Sequence, residues 1–204
     1  GELRGNRLSN VEVLFRMESG GGGGRHFGSR LVVGPDGALY MSIGDRGDRF
    51  RAQDPGDHAG KVLRIGRDGR VPEDNPFLRR MDAHPEVFTL GNRNIQGMTV
   101  HPETGAIWSH EHGPRGGDEV NILRPGVNYG WPEVTYGREY SGGEIGQGPR
   151  ASGFREPLLH WTPSIAPSGM AFYQGDAFSD WEGDLFVGAL AGQHLRRVEL
   201  RGGR

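Results

Sequence analysis

Cysteine is absent from the 204 residues, which excludes disulfides and thiolate metal sites and leaves the compartment undefined. Lysine is almost absent: of 24 basic residues only Lys61 is not arginine, a skew that fits genomic base composition better than mechanism. No apolar run approaches the roughly 20 residues of a membrane-spanning helix, and nothing at the start reads as a signal peptide. A formal charge of -2 gives no basic bias, so nucleic acid is not an expected partner. Helical periodicity does not persist over ten residues anywhere. What is plentiful is glycine (37) and proline (13), about a quarter of the chain. They punctuate apolar runs instead of forming a low-complexity tract, as turn residues of a many-stranded protein do. A hydrophobic content of 34% in a chain of this length suffices for a core.

Short strands are predicted at Leu31–Val33, Leu39–Ile43, Val62–Ile65, Val87–Leu90, Met98–Val100, Ile107–Ser109, Met170–Tyr173, Leu185–Val187 and Leu195–Val198, each bounded by turn residues. A degenerate repeat runs through them. VGPDGALYMSIGD (33–45), VHPETGAIWSHEHG (100–113) and WEGDLFVGALAG (181–192) share a turn followed by Gly-x-apolar-aromatic, starting near Gly37, Gly105 and Gly183. GKVLRIGRDGR (60–70) and GQHLRRVELRGG (192–203) follow two of the copies as amphipathic strands that end in a glycine turn. Irregular repetition of this kind predicts an all-β fold, a β-propeller. At roughly 40 to 50 residues per blade the chain holds about four blades. The whole of 1–204 then reads as a single propeller domain, a fragment lacking N-terminal and C-terminal blades. The opening GELRGNRLSNVEVLFRMESG is taken as the last strand of a blade, and VELRGGR stops at a turn.

Three constellations carry candidate chemistry. HEHGPRGGDEVN (110–121) packs three acids, two histidines and three glycines into twelve positions. Zinc needs three or four ligands in tight geometry and finds two imidazoles here. A phosphate loop needs a lysine and a hydroxyl after its last glycine, and neither is present. Calcium accepts carboxylates and backbone carbonyls and suits the GPRGGDE segment, although spacing alone favours a solvated acidic turn. The second constellation pairs His26, in RHFGSR, with Asp45, in GDRG. An aspartate bonded to one ring nitrogen fixes the tautomer and raises the basicity of the other; a surface-turn histidine is the plainer alternative. The third, GNRNIQG (91–97), sets Arg93 between two amides, suited either to a planar anion or to capping backbone carbonyls.

Taken together, RHFGSRLVVGPDGALYMSIGD, GKVLRIGRDGRVPEDNP, TLGNRNIQGM, EHGPRGGDEVN, GVNYGWPEV and WTPSIAPSG occur in an order and spacing that closely resembles the soluble quinoprotein family of PQQ-dependent aldose sugar dehydrogenases and glucose dehydrogenases. The resemblance spans roughly residues 11–200. It implies a six-bladed β-propeller with pyrroloquinoline quinone (PQQ) and calcium near its axis, oxidation of an aldose sugar to the lactone, and an external electron acceptor. His26 matches the family's general base and Asp45 the carboxylate that orients it. Arg93 and Asn94 match the pair beside the quinone. Gly113 and Pro114 match the backbone carbonyls that bind the cofactor calcium. Glu119 and Tyr129 match a second, structural calcium site, Tyr129 through its carbonyl, and Ser164 matches a hydroxyl near a cofactor carboxylate. Export to the periplasm or secretion follows from the same resemblance, and assembly as a homodimer stays open.

The departures are specific. Where glucose dehydrogenases carry a lysine after the LFVGAL-like strand, Ala191-Gly192-Gln193 stands here, so that cofactor anchor is absent or is replaced by Gln193 or His194. Cofactor-binding arginines and a substrate-binding glutamine belong to family segments outside this chain. At about 1.5 to 3 kcal/mol per charge-assisted bond, two missing arginines weaken cofactor binding by two to four orders of magnitude. The 204-residue piece alone is therefore expected to be feeble. A calcium-dependent lactonase or esterase propeller and a noncatalytic carbohydrate-binding propeller are the alternative readings.

Overall fold

The computed structural model describes residues 1–18 and 23–200. Strands β1 (Glu2–Arg4) and β2 (Arg7–Ser9) form a two-stranded antiparallel hairpin. The next four, β3 (Leu31–Val33), β4 (Leu39–Ile43), β5 (Lys61–Ile65) and β6 (Val87–Thr89), make a four-stranded meander. A second meander follows from β7 (Ile95–Val100), β8 (Ile107–Glu111), β9 (Asp118–Ile122) and β10 (Leu159–Trp161). Three more strands, β11 (Pro167–Phe172), β12 (Leu185–Ala189) and β13 (His194–Val198), complete the last sheet. Among the described residues, helix is confined to two short 3-10 turns, at Arg49–Gln53 and Ser179–Trp181.

The repeat in the sequence marks equivalent hairpins. Gly37, Gly105 and Gly183 precede β4, β8 and β12, and all three have left-handed φ values (77°, 70° and 81°) that favour glycine. Each turn launches the second strand of its sheet, which carries the aromatic residue of the repeat: Tyr40, Trp108 or Phe186. The end of the 192–203 pattern lies outside the described residues.

Successive sheets pack face to face, as propeller blades do. Ala38, Tyr40, Val62 and Phe88 of the first meander meet Ile95, Met98 and Ile107 of the second. On its other side the second meander lays Trp108 and Val120 against Leu185 and Val187 of the third sheet. Strands with neighbours on both faces, β5 and β8, are buried at every position, whereas β12 alternates buried and half-buried residues. At the N-terminus the structure departs from the expectation. The opening segment is a self-contained hairpin turning at Gly5-Asn6, exposed along both strands, because it pairs with itself and with none of the three larger sheets. Beyond it, Phe15 and Met17 return to pack against Ile43, Leu63 and Val87.

Candidate functional site

Antiparallel order gathers the chemistry at one end of the sheets. His26 precedes β3, Asp45 follows β4, Arg93 and Asn94 precede β7, and His112 to Pro114 follow β8. Asp45 N–H donates to the Arg93 carbonyl (2.9 Å) and His112 N–H to that of Asn94 (3.2 Å), which stitches these ends together. Glycine is needed at position 44, since a Cβ there would overlap the His26 carbonyl. His26 itself holds φ at 56°, a left-handed conformation costly for a residue with a side chain and kept only where its surroundings fix it.

The fixing partner is Asp45, 1% exposed, whose Oδ1 lies 2.5 Å from His26 Nδ1. Burial would raise this carboxyl, but hydrogen bonds from His26, the Gly47 amide (2.8 Å) and Trp131 Nε1 (2.8 Å) hold it below the ordinary carboxylate range. As an ionised acceptor it takes the Nδ1 hydrogen and leaves His26 Nε2 as the free base nitrogen. Trp131 is in turn flanked by the guanidinium groups of Arg93 (5.2 Å) and Arg49 (5.5 Å). Arg49 also forms a bidentate pair with Glu139 (2.6 and 3.1 Å).

These groups border a cleft of about 250 Å³ lined by Arg25, His26, Asp45, Arg49, Arg93 and Pro114, with Trp131, Glu139 and Tyr140 completing the wall. Arg93 spends Nη1 on the carbonyls of His112 (3.1 Å) and Gly113 (3.0 Å), while its buried Nε has no partner among the described residues. An unpaired buried donor beside two further arginines is a setting that an anionic ligand completes.

A second, far smaller cavity of about 10 Å³, room for one water or ion, shares Arg93 and Trp131 with the cleft as lining residues. Glu111, Glu119, Tyr129 and Thr135 line it. Glu111 and Glu119 face each other directly across β8 and β9. Burial raises the carboxyl of Glu111; burial and then the neighbouring Glu111 charge push Glu119 well above its ordinary value. Glu111 has a structural duty as well, accepting hydrogen bonds from Asn92 Nδ2 (3.1 Å) and from the amides of Arg93 and Asn94. The Asn121 Oδ1 beside this pair is buried without a donor among the described residues.

Of the residues singled out in the sequence, His26, Asp45, Arg93 and Pro114 meet in the cleft, and Glu119 and Tyr129 in the small cavity. Gly113 also lines the small cavity, and its carbonyl accepts from Arg93, which borders both. The Tyr129 hydroxyl is committed to the Ile122 carbonyl (2.7 Å) and the Arg124 amide (3.0 Å), which leaves its backbone for other partners. Asn94 Oδ1 accepts from the Gly28 amide (3.2 Å) and ties the His26 loop to β7. Ser164 sits elsewhere, donating its hydroxyl to Asp118 (2.8 Å), a carboxylate that also takes the amides of Gly113, Ile165 and Ala166. Lys61, the sole lysine, is buried on the carbonyls of Arg51 and Ala59 (2.7 Å each), and burial lowers it to about 7. Trp131, Glu111, Arg49 and Asp118 were given no individual role by sequence reasoning, although Trp131 lay inside the GVNYGWPEV motif and Glu111 and Asp118 inside HEHGPRGGDEVN.

The fold and site define a propeller-type protein with a hydrogen-bonded histidine–aspartate pair lining a cleft that holds three arginines. Residues 1–204 match the profile of the glucose/sorbosone dehydrogenase family, to which the chain belongs. It is similar to the aldose sugar dehydrogenase YliI of Escherichia coli, with 40% identity over 199 residues covering 97% of this chain and 54% of that protein. The solved apo-form of the soluble aldose sugar dehydrogenase from Escherichia coli superposes with a TM-score of 0.93 at 40% identity, over 97% of this chain and 57% of the other. The PQQ-bound aldose sugar dehydrogenase of Streptomyces coelicolor gives 0.70 at 34% identity, over 89% and 47%. The chain thus spans about half the length of the curated relatives it matches.

Proposed function

We propose that the complete protein is a PQQ-dependent aldose dehydrogenase that oxidises the sugar at C1 to the lactone and passes electrons to an external acceptor. This chain supplies the base and one wall of the cofactor cleft. The observation that carries the reading is His26, held by buried Asp45, at the mouth of a cleft lined by three arginines. The donor set fits the cofactor: a planar polycarboxylate would pair with Arg93, whose buried Nε lacks a partner, and with Arg25 and Arg49. When bound, the quinone supplies a two-electron hydride acceptor. His26 Nε2 receives the C1 hydroxyl proton, while Asp45 stabilises the imidazolium that results and keeps the ring from turning. Trp131 keeps Asp45 in place and excludes water from its second oxygen.

Two calcium sites belong to the same proposal. The Gly113 carbonyl, with one lone pair on Arg93, and the Pro114 carbonyl would hold the cofactor's cation, which polarises the acceptor. Glu119, Glu111 and the Tyr129 backbone would hold the other. The fit rests on two buried carboxylates facing each other in a cavity whose lining sets both against a single arginine, Arg93. Further cofactor contacts come from the blades that this chain does not include, and residence in the periplasm or outside the cell completes the reading. Among the described residues no helix is long and apolar enough to cross a membrane.

The test is reconstitution of the complete protein with PQQ and calcium, followed by aldose-dependent dye reduction. Reduction with at least one aldose is expected. No reduction with any aldose, accompanied by lactone hydrolysis, would overturn the assignment in favour of a hydrolytic propeller.

A further inference from the structure

Away from both cavities, a third cluster joins side chains that no part of the proposed reaction uses. His58, in the turn before β5, is fully buried. Its ring stacks on that of His84 at 3.9 Å between centroids and 17° between planes. Its Nε2 lies 2.8 Å from Glu86 Oε1, and one potential ligand atom each from His58, His84 and Glu86 fall within 4.8 Å of one another. A fourth carboxylate stands at the rim, with Glu18 Oε2 3.9 Å from His84 Nε2.

Hydrogen bonding leaves this cluster incompletely satisfied. The Glu18 amide donates to His58 Nδ1 (3.3 Å), so His58 carries its hydrogen on Nε2 and gives it to Glu86. The His84 imidazole, by contrast, makes no side-chain hydrogen bond within ordinary range among the described residues, although it is only 21% exposed. Two imidazoles and a carboxylate, each with one ligand atom within 4.8 Å of the others, and a second carboxylate at the rim form the nitrogen and oxygen set that a borderline divalent ion selects. Magnesium and calcium prefer all-oxygen sets and are disfavoured here.

We propose that His58, His84 and Glu86 form a binding site for a divalent transition ion of the zinc class, with Glu18 or water in the remaining position. The ion takes the place of the His58 Nε2 proton and draws both rings and the carboxylate together. It clamps the turn before β5 to the loop before β6 and, where Glu18 fills the remaining position, ties in the segment that returns from the N-terminal hairpin. Phe15 already packs edge-on against His58 (5.2 Å, 88°), so the returning segment is placed for the clamp. The turn also bears on the candidate site, because the Gly60 carbonyl accepts the Asn92 amide (3.1 Å) at the start of GNRN.

The experiment is calorimetric titration of the complete protein with zinc chloride under saturating calcium, which fills the oxygen-rich sites first. Cobalt substitution followed by visible absorption reads the ligand geometry. One zinc ion per chain should bind at this site, and cobalt should show the intense bands of a four-coordinate nitrogen and oxygen site. His84→Ala and Glu86→Gln, both at partly exposed positions that spare the buried His58, should weaken that binding by more than the roughly 10- to 100-fold typical of losing a partner one bond removed from a metal. Circular dichroism verifies that both variants fold. His160→Ala, at a histidine stacked on Tyr136 in another sheet, should bind as the parent does. Absence of saturable zinc binding, or binding unchanged in folded His84→Ala and Glu86→Gln, overturns the proposal.

Discussion

The two cavities that share Arg93 and Trp131 are opposites. One is an open cleft of about 250 Å³ edged by three arginines; the other holds about 10 Å³ and two facing glutamates. Both draw on the same short stretch, since the turn after β8 gives Pro114 to the cleft and Gly113 to the small cavity. The difference lies in how each charge is handled. In the cleft, the buried carboxylate is fully supplied with donors and stays ionised. In the small cavity, burial, and for Glu119 the neighbouring Glu111 charge as well, drive the carboxyls toward their protonated forms. The proposed function assigns proton transfer and an anion to the first cavity and a cation to the second.

The strongest test of the cleft is His26→Gln in the complete, reconstituted protein. Glutamine can still bond Asp45 but cannot take a proton, so turnover should fall about 10²- to 10⁴-fold, the usual worth of a positioned base. Cofactor binding, followed by its visible absorption, should persist. Turnover within a few-fold of the parent would remove His26 from the mechanism.

For the small cavity the decisive variant is Glu119→Gln, read by thermal unfolding with and without calcium. The parent should gain about 2.7 kcal/mol at a calcium concentration 100 times the dissociation constant, and Glu119→Gln should lose most of that gain. Without calcium the variant should be at least as stable as the parent, because a like charge has gone. The pH dependence has a defined sign. Glu119 is raised in the folded chain from an ordinary 4.5, so between those two values the folded state binds more protons than the unfolded. Its contribution is therefore full below about 4.5 and is lost as pH rises through the folded value, in metal-free protein only. Equal calcium stabilisation in parent and variant would sever Glu119 from the ion.

Legibility in the sequence followed the same division. Strands β3 and β4 were readable to the residue, because apolar alternation between glycine turns is a local signal. The three repeat glycines gave the hairpins of all three large sheets. Strand β9 was not read. Asp118-Glu119-Val120-Asn121-Ile122 buries its acidic and amide groups, and a polar, glycine-flanked stretch looks like a turn until its ladder with β8 is seen. His26 and Asp45 were visible as suitable types 19 residues apart, and the family resemblance supplied the pairing. Trp131 was beyond local reasoning, since its bond to Asp45 spans 86 residues.

Trp131→Phe tests that long-range bond without emptying the space between the arginines. The ring face toward Arg49 and Arg93 is kept, so cofactor affinity should change little, whereas Asp45 Oδ2 loses its donor. An unsatisfied buried acceptor costs about 1 to 3 kcal/mol. A freer Asp45 orients His26 less well, and turnover should drop about 10-fold, the equivalent of 1.4 kcal/mol. Because Asp45 also binds less strongly as an anion, the acid limb of the turnover profile should move to higher pH. A uniform loss of stability with an unchanged profile would make Trp131 a packing residue alone.

The smallest effect is expected at Ser164, and it separates two roles. If the hydroxyl served a cofactor carboxylate, Ser164→Ala would lower PQQ affinity by about 10-fold or more, the worth of one charge-assisted bond. Here the hydroxyl is given to Asp118, which keeps three backbone amides after the substitution, those of Gly113, Ile165 and Ala166. Ser164→Ala should therefore cost about 1 kcal/mol of stability and leave PQQ affinity within about threefold. Asp118 anchors Gly113, which lines the small cavity and accepts a hydrogen bond from Arg93, so what this substitution does should be felt first in the small cavity. A change confined to PQQ binding would instead put the Ser164 hydroxyl in the cleft, making it the one residue whose partner changes when the cofactor enters.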